Sequence, residues 1–274
     1  MRTINKELIL NAIRGFFKDP VRFFRLAFRE LLWWVVRHIA KDPHFFSTRV
    51  RMPIKKEYRD PFKMTLGQWL LYHQIDIIGL KCTWMGVCTL KNPCDAWIYQ
   101  EIIYEVKPDV LVEIGSFEGG GTLYFANLLD LVGKGVVISI DNNRTVYNVK
   151  HERIIELTGD SSSPEIVNKV EDLCKGKTVL VIHDGDHSRR QVLKDMDAYS
   201  KLVTVNSYLI VEDGLVDIMK PGILSYAAFG SFKDGGPLRA TEHFLMRNPN
   251  FVVDRERERY ILTYNPEGFL KRIK

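Results

Sequence analysis

Three rhythms of apolar and polar positions follow one another along this chain. From Leu8 to Ile39, Phe24, Phe28, Leu31 and Val35 fall on one helical face, while Arg22, Arg25 and Arg29 share another. Asp19-Pro20 reads as an N-cap and first helical position, with a stop near Asp42-Pro43. Residues 44–107 are mixed and broken by Pro53, Pro61 and Pro93, until a helical period over Ala96 to Val106 ends at Lys107-Pro108. Beyond this, short β-branched runs alternate with helical stretches: Val110 to Ile114, Val136 to Ile140, Ile154 to Leu157, Thr178 to Ile182 and Ser207 to Val211. Strands spaced by helices predict a doubly wound, mostly parallel α/β sheet. Phe251 to Val253 and Tyr260 to Thr263 are expected to close its edge as an antiparallel C-terminal hairpin. The chain thus divides into a helical arm (1–43), a helical segment (44–107) and an α/β domain (108–274).

Charge changes the reading of the arm. Residues 1–41 carry nine Lys/Arg against Glu7, Asp19 and Glu30, a surplus of six, so a net charge of +5 leaves the remainder at −1. A basic arm on a near-neutral body suggests a docking element rather than a nucleic-acid-binding face. Its arginines interrupt every apolar run before it reaches the roughly 18 residues of a membrane span, and it lacks a small-residue cleavage site. Two readings stand: a helix lying in a headgroup layer with its arginines toward anionic lipid, or one packing on protein, including a second subunit of a homo-oligomer. Trp33-Trp34 favours the first. Cys82, Cys88, Cys94 and Cys174 form no CxxC pair, which argues against a zinc site or a disulfide framework and for a reducing cytoplasm. A peripheral position on the inner face of the membrane is the further expectation for the arm.

Candidate chemistry gathers at the strand ends. Glu113-Ile-Gly115-Ser116-Phe-Glu-Gly119-Gly120-Gly121-Thr122 follows a buried strand and opens a helix, where backbone N–H groups face a ligand. Phe117 at the second glycine's place excludes GxGxxG. The spacing instead resembles the acidic-x-Gly loop of methyltransferases that bind S-adenosylmethionine, whose cationic groups suit Glu113. Asp141 ends the second strand, where such folds bind ribose hydroxyls, and Asp160-Ser161 after the third is placed to read an adenine edge. Each alone could be a turn or a cap; at successive strand ends they form a cofactor set.

The fourth strand ends in His183-Asp184-Gly-Asp186-His187-Ser188 and the fifth in Glu212-Asp213-Gly214. Carboxylates crowded in one crevice repel unless a cation sits among them, and an all-oxygen set favours Mg²⁺. Asp186, Glu212 and Asp213 are the expected ligands, with Asp184 on the cofactor side. A non-haem iron site from His183, His187 and a carboxylate, as in an oxygenase, is the competing arrangement; a non-catalytic, membrane-associated binding protein is the other class.

Trp84-Met-Gly86, Lys91-Asn-Pro93-Cys-Asp95-Ala-Trp97-Ile-Tyr99-Gln-Glu101, the glycine loop, Asp184-Gly-Asp186-His187-Ser188, Glu212-Asp213-Gly214, Gly236-Pro237 and Asn265-Pro266-Glu-Gly268 together resemble the cephalosporin hydroxylase and rhamnosyl O-methyltransferase family. The similarity runs from about residue 60 to the C-terminus. It implies a Rossmann-like, Mg²⁺-dependent methyltransferase that uses S-adenosylmethionine to methylate a hydroxyl of a small molecule or of a sugar in a glycan, glycolipid or secondary metabolite. By position it matches Asp186, Glu212 and Asp213 to the metal set. In the similar catechol O-methyltransferase a lysine base stands three residues past the metal aspartate. Three past Asp186 is Arg189, which leaves the base open; His187 is preferred because an imidazole suits proton transfer near neutrality, with His183 or Asp184 as alternatives and Asp186 beside it. Trp69, Trp84 and Trp97 are candidates for stacking on the acceptor ring, and Trp97 equally for core packing.

Overall fold

A computed structural model of the protein describes residues 65–66, 69, 73–78, 82–218 and 234–274. The basic arm lies outside these residues. Among them, no helix is long and apolar enough to cross a membrane.

A small antiparallel hairpin, β1 (Thr83–Trp84) and β2 (Val87–Cys88), precedes helix α1 (Pro93–Val106). The helix begins at Pro93 rather than Ala96. The Asn92 side chain caps it by accepting from Cys94 N, and proline fits its first turn. It ends where Lys107 turns left-handed ahead of Pro108. Then come β3 (Val110–Ile114), α2 (Gly120–Val132), β4 (Val136–Asp141), β5 (Ile154–Thr158), α3 (Pro164–Cys174), β6 (Val179–His183), α4 (Arg189–Tyr199), β7 (Tyr208–Val211), α5 (Pro237–Arg247), β8 (Phe251–Val253) and β9 (Phe269–Arg272).

The strands form one sheet in the order β5-β4-β3-β6-β7-β9-β8. The five from β3 to β7 are parallel; β9 runs antiparallel to both β7 and β8. Because β3 pairs with both β4 and β6, the winding reverses there, and such a switch point opens a crevice at the strands' carboxyl ends.

Alternation along each strand fixes the two cores. Val110, Val112, Val179, Val181, Leu209 and Val211 pack with α3, α4 and α5 through Ile166, Val192, Met196 and Phe244. Leu111, Leu180, Ile182, Tyr208 and Ile210 face the other way, onto Ile98, Ile102, Phe125 and Leu129 of α1 and α2. Helix α1 therefore covers one face of the same sheet.

The edge hairpin requires a correction. Tyr260–Thr263 does not form its second strand: Ile261 is left-handed at φ 65°, and the Asn92 side chain holds the Leu262 carbonyl. Phe269 and Leu270, both fully buried, pair instead with β7 and β8. Burial on both faces and pairing on both edges outweigh the β propensity of a Tyr-Ile-Leu-Thr run whose first two residues are exposed. Trp97 is not core either, being 59% exposed. Trp84 is packed edge-on against Tyr124 and donates to Asn127, and Trp69 stacks on His73.

Candidate active site

The alternation that builds the two cores also aims the strand ends. Continuing the face of Leu111, of Ile182 and of Ile210 by two residues gives Glu113, Asp184 and Glu212, which meet on the side of α1 and α2. His183 has the opposite parity and faces α4, where its Nε2 lies 3.0 Å from Asp195 Oδ2. The two loop histidines therefore do not converge on one carboxylate.

The three carboxylates share one cation. Lys91, only 5% exposed on the segment entering α1, reaches Asp184 Oδ2 at 2.5 Å and Glu212 Oε1 at 2.6 Å. Burial pulls its ammonium pKa down, but the Asp184, Glu212 and Glu113 carboxylates overcome this and raise it above the ordinary lysine value. Burial raises the Glu212 pKa well above the usual carboxylate range, Asp184 adds to the rise, and Lys91 opposes it. Lys91 was not expected at the site, since a buried lysine carries no spacing signal.

Beside this pair is a second group. Ligand atoms of Asp184, His187 and Asp213 all lie within 4.8 Å of one another. His187 Nε2 is 3.3 Å from Asp213 Oδ2. Burial raises the Asp213 pKa, His187 opposes the rise, and Asp184 reinforces it. Asp186, on the same loop as Asp184, is exposed and accepts from Ser188 N at 2.7 Å. Ser188 then caps α4. The structure thus brings Asp184 and Asp213 together with His187, sets Glu212 behind them on Lys91, and leaves Asp186 on the outer side of the turn.

The glycine loop lies against the same strand end. Gly115, at φ +89°, approaches the loop after β6 so closely that an added Cβ would sit 2.1 Å from the Asp184 carbonyl oxygen. Gly115→Ala is therefore expected to force the two loops apart and cost both melting temperature and activity; a melting curve matching wild type would contradict the close approach. Gly119 and Gly120 are explained by packing as well, the former against Tyr147 and Val149, the latter against the Cys88 carbonyl.

Asp141 is already engaged: Oδ2 accepts from Ser116 N at 2.9 Å and Phe117 N at 3.0 Å, and Oδ1 from Asn143 N. It fixes the glycine loop. Ser116 Oγ lies 2.5 Å from Ser139 Oγ. Asp160 caps its own turn through Ser162, and Ser161 donates to Asp195 at 2.7 Å, which ties the third strand's end to the His183 pair.

Glu113 is 1% exposed and accepts from Thr122 Oγ1. Burial pushes its carboxyl up to about 7 from an ordinary 4.5, with Lys91 opposing. The folded protein then binds more protons than the unfolded chain between those values, so stability falls as pH rises through that window. Glu113→Gln should flatten this fall in metal-free melting curves between pH 5 and pH 8, whereas an unchanged slope would place the titration elsewhere.

The family described as rhamnosyl O-methyltransferase/CmcI matches residues 78–273. The chain belongs to this family. Among individual members, the rhamnosyl O-methyltransferase of Mycobacterium tuberculosis is 32% identical over 206 residues, 72% of this chain and 80% of that protein. That of Mycobacterium leprae is 33% identical over 198 residues, 69% and 82% of the two chains. CmcI with Mg and SAM aligns with a TM-score of 0.52 and 21% identity, over 79% of this chain and 88% of CmcI, which shows the shared fold. As a family member, the chain is an S-adenosylmethionine-dependent O-methyltransferase.

Proposed function

We propose that this methyltransferase acts on a sugar hydroxyl, of the rhamnose type carried by a glycan, glycolipid or secondary metabolite, with Mg²⁺ held by Asp184 and Asp213. The observation that carries the reading is the convergence of Asp184, His187 and Asp213 beside the glycine loop at the switch point. The donor set fits a hard divalent ion. Two carboxylates stand together with only part of their charge met by Lys91, and the raised pKa of Asp213 marks a place where a further cation would lower the energy. The rhamnosyl O-methyltransferase relatives support the sugar, and the Mg–SAM form of CmcI supports the ion.

In this reading Asp184 and Asp213 are the ligands. Glu212 acts from behind through Lys91, and Asp186 shapes the turn that starts α4. With Asp184 rather than Asp186 as the ligand, the place of the base changes too. His187, not Arg189, then stands three residues past the metal aspartate, the interval at which catechol O-methyltransferase has its lysine. His187 takes the acceptor proton, and the Asp213 carboxylate, 3.3 Å from its Nε2, stabilises the imidazolium. The hydroxyl oxygen gains the methyl as the carbon–sulfur bond breaks, and the sulfonium leaves as a neutral thioether. A bound Mg²⁺ supplies Lewis-acid polarisation and orientation of the acceptor oxygen.

The proposed cofactor pocket comprises Glu113, Gly115, Ser116, Gly119, Gly120 and Thr122, with Asp141 and the Asp160-Ser161 turn toward the nucleoside. The basic arm is proposed to sit peripherally on the inner membrane face, near a lipid-linked acceptor. Transfer of labelled methyl from S-adenosylmethionine to rhamnose-bearing acceptors tests the reading. Labelling should require Mg²⁺ and stop on chelation; transfer that persists undiminished in chelator would exclude the ion.

A further inference from the structure

We propose that Asn265 is a positioning residue for the metal site: it holds Asp213 in a backbone conformation that aspartate seldom adopts and thereby keeps its carboxylate opposite Asp184 and His187. The inference rests on the metal reading above.

Asp213 is left-handed, with φ 61° and ψ 25°. A glycine would relieve the strain, so the surroundings must hold an L-residue there. Asn265, 1% exposed, does so directly. Its Oδ1 accepts from Asp213 N at 3.0 Å, while its Nδ2 donates to Tyr99 OH at 2.7 Å. One side-chain amide thus joins the ligand's own backbone to α1.

Asn265 is itself held at several points. Its backbone N donates to Thr263 Oγ1 at 2.9 Å, and Thr263 Oγ1 donates to Asp95 Oδ1 at 2.6 Å. Asp95 Oδ2 accepts from Tyr264 N at 2.8 Å and from Asn92 Nδ2 at 3.0 Å. Gly268 N donates to the Asn265 carbonyl, and Val211 N donates to the Gly268 carbonyl, closing the loop onto the end of β7. On the far side of the turn, Leu215 N donates to the Tyr264 carbonyl at 3.0 Å.

Asp213 is therefore gripped before and after its strained residue by one short segment, and that segment is bolted to α1 by Asp95 and Tyr99. Those two residues sit in the motif preceding the sheet. A second backbone contact at the same place allows no slack. A Cβ on Gly268 would lie 2.2 Å from the Val211 carbonyl oxygen. Here the loop carries no ligand, yet its register against β7 decides where a ligand points, the role of outer partners around metal sites generally.

The test is Mn²⁺ binding to the full chain, read by electron paramagnetic resonance of the free ion, at a temperature where melting curves show each variant folded. Asn265→Ala should weaken Mn²⁺ affinity by about 10-fold or more, the usual scale for losing an outer partner of a ligand. Tyr99→Phe removes only the far anchor and should weaken it in the same direction, by less. If Asn265→Ala fails to fold, Tyr99→Phe decides the matter alone. A lower melting temperature with unchanged Mn²⁺ affinity in the folded variant would make Asn265 a purely structural residue and overturn the inference. Wild-type protein that binds no Mn²⁺ would instead overturn the metal reading on which it rests, and the inference with it.

Discussion

Replacing Lys91 with methionine is expected to lower the melting temperature by about 6–20 °C. The substitution keeps the side chain's length and apolar stem but leaves Glu212 and Glu113, both nearly fully buried, without their cation. Breaking a buried ion pair from one side costs about 3–5 kcal/mol, a large share of a domain's stability of about 5–15 kcal/mol. Two further signs identify the cause. The deficit should shrink on acidification, because protonated Glu212 and Glu113 no longer need a counter-charge. Mg²⁺ should stabilise Lys91→Met more than wild type, since a cation in the neighbouring Asp184–Asp213 position partly restores the balance. Melting within a degree or two of wild type would mean that Lys91 does not hold the carboxylates together.

The second large effect separates two aspartates on one loop. Asp184→Asn removes a proposed ligand and a partner of Lys91, and should lower kcat at least about 1,000-fold, the scale on which several kcal/mol of Lewis-acid stabilisation are lost. Asp186→Asn keeps an oxygen able to accept from Ser188 N and should leave kcat within about threefold of wild type. Circular dichroism of both variants checks that they are folded. The reverse ranking would return the ligand role to Asp186.

The contrast shows what a sequence of this kind carries and what it withholds. The parallel strands are legible because β-branched runs such as Val110–Ile114 and Val179–His183 have no other stable use between helices. The crevice follows from their order, and the glycine loop from its turn residues. Which aspartate of Asp184-Gly-Asp186 enters the crevice is harder to read. Strand parity, carried one step past His183, favours Asp184, but a glycine next in line frees the backbone to turn, and in the structure the Asp186 carboxylate accepts from Ser188 N.

Lys91 and Asn265 lie within recognisable motifs, yet their roles depend on long-range approach: Lys91 lies 121 positions from Glu212, and Asp213 meets Asn265 across 52. No local period encodes such distances. The misread strand at Tyr260–Thr263 has the same origin, since pairing partners, rather than β propensity, decide which C-terminal segment joins β7.

Mass spectrometry of glycans and lipids gives the direct test, comparing cells that make this protein with cells lacking its gene and with such cells supplied with Asp184→Asn. One O-methyl group should be lost from a sugar in the deletion, stay missing with Asp184→Asn, and return with the wild-type gene. Sugar methylation that survives the deletion, or a product short of an oxygen rather than a methyl, would contradict O-methyl transfer to a sugar.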